Sequence, residues 1–181
     1  MKNLKDLMLP GSDGEEHRLD LDFNDLKEHQ DKLIQFLYEV ADELRDTIDV
    51  AARKTSDQFW QVNRTARSTA PEQEQGRFGT RVKRRSRRSL EFHWYINRFW
   101  ADKSSSLEKK MRIASTHLSR AYKYHHDMRQ FKSAPEWEQF AIQIAENRYK
   151  HLRQQNEALT QLVNVIGKLE RLQAKFMKEI E

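Results

Sequence analysis

The chain has 181 residues, 37% of them hydrophobic and 34% charged, a balance that suits surface-rich helices around a narrow core and fits one architectural unit better than two. It has no cysteine, which excludes disulfides, thiolate metal sites and cysteine nucleophiles and fits a reducing compartment. The net charge of +5 hides an asymmetry: Lys and Arg against Asp and Glu number 10 against 17 in residues 1–76, 16 against 4 in residues 77–132, and 7 against 7 in residues 133–181. The central +12 is an electrostatic footprint for a polyanion, and the acidic N-terminal third is not.

Residues 1–19 hold the turn cluster Pro10-Gly11-Ser12-Asp13-Gly14 and read as a flexible leader. Its apolar run at Leu7–Leu9 ends at Pro10, too short for a secretory signal, and no run approaches a membrane span, so a cytoplasmic location without a membrane partner is expected. Over residues 20–68, Leu33, Leu37, Val40, Leu44, Ile48, Ala51, Thr55, Phe59, Val62 and Ala66 are spaced 4, 3, 4, 4, 3, 4, 4, 3, 4. That pattern predicts a long helix whose packing stripe repeats every eleven residues.

A polar loop around Pro71 leads into a β-rich insert over residues 77–132. Phe78–Arg85 reads as a first strand, and Leu90, Phe92, Trp94 and Ile96 alternate cleanly with Glu91, His93, Tyr95 and Asn97 to give a second. After a loop at Asp102–Ser106, Met111–Leu118 makes a third strand and Tyr122–Met128 a fourth. The second long helix covers residues 134–181, opened by a capping box from Ser133 to Glu136, with Trp137, Ala141, Ile144, Leu152, Leu159, Leu162, Ile166, Leu169 and Phe176 on one face. The expected fold is α+β, mostly α. Two long helices pair as an antiparallel coiled-coil-like hairpin, with a small antiparallel β-sheet inserted between them. The same stripes would also be satisfied between chains in a homodimer.

The segment Arg81-Val82-Lys83-Arg84-Arg85-Ser86-Arg87-Arg88 has six basic residues in eight. Guanidinium groups bind phosphate oxygens in bidentate geometry, so Arg81, Lys83, Arg84, Arg85, Arg87 and Arg88 are the candidate nucleic-acid contacts. The strand alternation assigns Trp94 to packing and leaves His93, Tyr95 and Asn97 on the other face; with Arg98 they complete the candidate site. Double-stranded DNA is the expected partner. The alternatives are RNA, or a coiled-coil scaffold with a basic tip that docks on an acidic protein. His117, His125 and His126 have no carboxylate nearby except Asp127, so no metal or other cofactor is expected. Tyr122 and Tyr124 read as packing or phosphate contacts. Phosphate-loop, hydrolase, dinucleotide and zinc-protease motifs are missing, and no enzymatic activity is expected.

Several segments together carry a family resemblance. They are Arg81 to Arg88 followed by Leu90-Glu91-Phe92-His93-Trp94-Tyr95-Ile96-Asn97-Arg98-Phe99, then Ser115-Thr116-His117-Leu118, Ala134-Pro135-Glu136-Trp137-Glu138, and Glu146 with Tyr149, Leu152 and Arg153. Over roughly residues 77–155 the chain resembles the MobI-type conjugative mobilisation proteins, auxiliary factors of integrative conjugative elements and related plasmids. The resemblance implies recognition of an origin of transfer and assistance to a separate relaxase that nicks the DNA. It assigns no functional residue.

Overall fold

Helix α1 spans Phe23–Thr69, and its start is set by Asp22, whose carboxylate accepts a hydrogen bond from the Asp25 amide at 2.8 Å. Strands β1 (Phe78–Ser86), β2 (Ser89–Ala101) and β3 (Met111–His117) follow, then a 3-10 turn at Met128–Phe131 and helix α2 over Glu136–Ile180. The structure, a computed structural model, describes residues 22–71, 75–87, 89–101 and 111–180, with backbone alone at Trp100, Ala101, Met111, Arg112 and Ile180. The expected leader, Arg88 and the loop at Asp102–Ser106 lie outside the described residues. Among those described, no helix is long and apolar enough to cross a membrane.

The chain divides into two compact units, Met1–Leu44 with Ala158–Glu181, and Arg45–Glu157, so both long helices contribute to each. In the first unit the helices run antiparallel. The Tyr38 hydroxyl donates to Glu170 at 3.0 Å and Gln173 donates to Asp31 at 3.1 Å, over a core of Ile34, Ala41, Leu159, Val163, Ile166 and Met177. In the second unit Arg45 donates to Asn156 at 3.3 Å and Asn63 to Glu138 at 3.4 Å, again antiparallel, and the sheet covers the pair. The strands lie in the order β1-β2-β3, both pairings antiparallel, with Gly79, Tyr95 and His117 side by side in one row.

Alternation along β2 explains how the sheet attaches. Leu90, Phe92 and Trp94 turn to the helices and are buried. The Trp94 ring meets Phe59 of α1 edge-on at 5.1 Å, Phe131 at 5.4 Å and Tyr149 of α2 at 6.0 Å. Its indole N–H donates to Glu146 Oε2 at 2.6 Å. The same carboxylate accepts from the His126 amide at 2.8 Å and from Arg153 at 2.6 Å, and the two charged side chains are each only 4% exposed. Arg153 also lies over the rings of Phe92 and Tyr149 and donates to the Tyr124 carbonyl at 2.7 Å. A second buried carboxylate, Glu138, accepts from the amides of Arg77 and Phe78 at 3.1 and 3.0 Å and so fixes where β1 begins. Burial pushes its pKa up against the pull of those two amides.

Three expectations need correction. The fourth strand at Tyr122–Met128 does not form. Side chains take its backbone groups instead: Glu146 binds the His126 amide, Arg153 binds the Tyr124 carbonyl, and Asp127 caps the 3-10 turn through the Arg129 amide. The helix stripes are displaced as well. Ile48, Thr55 and Phe59 are buried as expected, but Leu33, Leu37, Leu44 and Val62 are exposed, and Ile34, Ala41, Arg45, Ala52 and Asn63 face inward in their place. On α2, Ala141, Leu159 and Ile166 are buried while Ile144, Leu162, Leu169 and Phe176 are exposed. Apart from Ile34, small and hydrogen-bonding residues take these inward positions on α1, where a pattern of large apolar side chains does not reveal them. Finally, α2 begins at Glu136, with Pro135 as the residue whose carbonyl accepts from Glu138 and Gln139, which leaves Ser133 short of the capping position.

Candidate nucleic-acid interface

The basic run sits on an edge strand, so strand alternation sorts its residues between two environments. Arg84 shares the inward side with Thr80 and Val82. Its guanidinium is ion-paired with Asp46 and reaches Asp49 of α1 at 3.7 Å, and its other nitrogen donates to the Arg87 carbonyl in the β1–β2 turn. Arg81, Lys83 and Arg85 take the opposite, outward side and are exposed. At about 6.6 Å between alternate residues, the three cations span about 13 Å.

The outward side of β2 and β3 supplies rings beside these cations. The Arg81 guanidinium lies 5.5 Å over the Tyr95 ring and is hydrogen-bonded to His117 Nε2. The His117 ring is 5.2 Å from His93 and 6.4 Å from Tyr95. Gly79 lies directly under Tyr95, and a Cβ there would collide with the ring, so the absence of a side chain lets Tyr95 lie flat across β1. Helix α1 contributes from the side: Trp60 lies 6.5 Å from Tyr95 and caps the Thr80 carbonyl on the edge strand at 2.9 Å, and Arg67 lies 5.8 Å over the 40% exposed Phe99 ring.

Glu91 is the only acid in the three strands. It hydrogen-bonds His93 at 2.8 Å and pairs with Arg85 at 3.2 Å, and the His93 bond, with Arg85 and Lys83 nearby, holds its pKa low. Desolvation by its neighbours, aided by the nearness of Arg81, His93 and Lys83, lowers the pKa of His117. Burial likewise raises that of Tyr95 against the pull of Arg81. The face therefore carries concentrated positive charge with one matched acid.

The structure thus brings Arg81, Lys83, Arg85, His93 and Tyr95 together on one face. Asn97 belongs to the same side but is buried, its Oδ1 accepting from the Ser115 hydroxyl at 2.7 Å. Arg98 is exposed with the parity of Trp94, and Arg87 is exposed in the turn. Sequence reading missed Trp60 and Arg67. Trp60 could have been found, because a large aromatic next to Phe59 but off the helix stripe has to serve something other than the helix pair. His117, read there as a weak metal candidate, joins the face as a neighbour of Arg81. Among the described residues, no three His, Asp or Glu side chains gather as metal ligands.

Fold and face define a class: a mostly helical α+β chain in which a long antiparallel helix pair supports a small sheet with an arginine-rich open side. Residues 48–167, more than half of the chain, match the family described as MobI protein, and the chain belongs to that family. No curated protein and no solved structure matches it. Membership carries a role in mobilisation. The matched range takes in all three strands and the Glu146–Arg153 network, and it extends into α1, beyond the segments that carried the resemblance.

Proposed function

We propose that the outward face of the sheet binds double-stranded DNA at an origin of transfer, and that the chain acts there without catalysis, as an accessory to a separate relaxase. The alignment of Arg81, Lys83 and Arg85 on one open side around the Tyr95 ring supports this reading most directly. Guanidinium and ammonium groups so presented neutralise phosphates, which supplies most of the affinity for a duplex. The β1–β2 hairpin is two-stranded beyond the reach of β3, a width that suits a major groove, but its inner side is covered by α1 and α2. The face is therefore read as lying across the phosphate backbone, with His93 and Tyr95 as the groups nearest the bases. The half-exposed Phe99 and the flat Tyr95 ring favour a second reading, stacking on unpaired bases beside a nick.

Fluorescence anisotropy with the full chain tests both. Duplex DNA containing a transfer origin, unrelated duplex, single-stranded DNA and duplex RNA are titrated at two salt concentrations. Preference for the origin duplex that persists at the higher salt supports the first reading, and preference for single strands the second. Equal, weak binding that salt erases in every arm would leave a charged scaffold.

A further inference from the structure

The unit formed by Met1–Leu44 and Ala158–Glu181 carries more apolar surface than its helix pair consumes. On α2, the seam that packs against α1 is Leu159, Val163, Ile166 and Met177, all buried. A second series, Leu162, Val165, Leu169, Leu172 and Phe176, is spaced 3, 4, 3, 4 and is 41–63% exposed. That spacing is the repeat of a coiled-coil seam. Helix α1 repeats the arrangement: Phe23, Leu26, Leu33, Leu37, Val40 and Leu44 follow the same seven-residue period, interrupted only at Gln30, beside the inward-facing Ile34 and Ala41. The two series adjoin, since Leu33 and Leu37 line one groove with Leu169, Leu172 and Phe176, along Ile34.

We propose that this groove is a self-association surface, on which two copies of the chain pack face to face as a four-helix bundle with α1 of each copy against α2 of the other. Charge selects that arrangement. Over Phe23–Leu44, α1 has six acids and two bases, net −4; over Ala158–Ile180, α2 has four bases and two acids, net +2. A two-fold pairing of α1 on α2 sets opposite charges together at both ends, whereas α1 on α1 sets −4 against −4. The area is also sufficient. A helix pair about 33 Å long and about 20 Å wide offers about 650 Å² per copy, or about 1,300 Å² in all, within the range of stable interfaces. The groove and the basic sheet face share no residue, so this test does not depend on DNA binding.

Sedimentation equilibrium of the full chain, without DNA, decides the matter. The wild type is expected to be a dimer at micromolar concentration. Leu37→Glu, and Leu169→Glu with Leu172→Glu, should each weaken association by about tenfold or more, because carboxylates are forced into an apolar seam. All three positions are exposed within one chain, so the circular dichroism spectrum should stay close to wild type. Lys168→Glu with Arg171→Glu leaves the apolar seam intact and should also weaken the dimer, which keeps a result available if an apolar variant misfolds. A wild-type chain that sediments as a monomer across the micromolar range overturns the proposal, whether residues 1–21 or another protein is what covers the groove. So does a dimer indifferent to both the apolar and the charge variants.

Discussion

Arg153 and Arg81 lie on opposite sides of the same sheet and put the same guanidinium to opposite use. Beneath β2, Arg153 is closed in: Glu146 holds it, the Tyr124 carbonyl takes another donor, and the Phe92 and Tyr149 rings enclose its plane. Above β2, Arg81 rests on a single ring beside an imidazole and stays exposed. The first charge joins α2, β2 and the segment before the 3-10 turn into one body. The second adds to a field that has one acid in three strands. Counting basic residues along the chain cannot separate these roles; strand parity and the position of the acids do.

The largest effect expected from attacking this contrast is on the buried side. Glu146→Gln leaves the Arg153 charge without its counter-ion and should cost about 3–5 kcal/mol in chemical denaturation, with a change in Trp94 fluorescence. A loss near zero would show that the network is not closed to water. On the open side, Arg81→Ala with Lys83→Ala and Arg85→Ala should weaken duplex binding by about ten- to a hundredfold and lower the salt-dependence slope by about 2–3, with Tm nearly unchanged. Binding that keeps its affinity and slope in this variant would remove the outward face from the interface.

Arg84→Ala tests the parity argument itself. Because Arg84 is engaged by Asp46 and Asp49 and is one-quarter exposed, the change should cost stability, about 0.5–1 kcal/mol, and should affect DNA affinity less than Arg85→Ala does. The reverse order would mean that the turn rather than the face meets DNA. The smallest effect concerns His126, which lies beside Glu146 and has its own pKa lowered chiefly by burial. The unfolded chain therefore takes up the proton first as pH falls. The His126 contribution is complete above about pH 6.5 and is lost progressively below it, and His126→Gln should flatten that part of a Tm-against-pH curve.

Much of the fold was legible because period alone encodes it. Four alternating apolar residues placed β2 and turned Trp94 inward, and the stripes of period near 3.6 placed both helices. The side of each helix that packs was not legible. Asn63 and Arg45 sit at contact positions for the hydrogen bonds they make to Glu138 and Asn156, partners far along the chain, while Val62 and Leu44, the apolar residues of the expected stripe, lie one position away. The failed strand at Tyr122–Met128 has the same cause, since its alternative partners, Glu146 and Arg153, belong to another element. For the candidate site, the run Arg81–Arg88 announced itself by composition. That Arg84 would be drawn to α1 depended on acids more than thirty residues earlier, which no local pattern reveals.

Gly79 determines the relief of the open face. The Tyr95 ring rests where a side chain at position 79 would stand, and the Arg81 guanidinium rests on that ring, so the height of the cation above the strands is set by an atom that is missing. A single methyl group added there would lift the ring without altering any charge. Position 79 thus separates topography from electrostatics on a surface where the two are otherwise entangled.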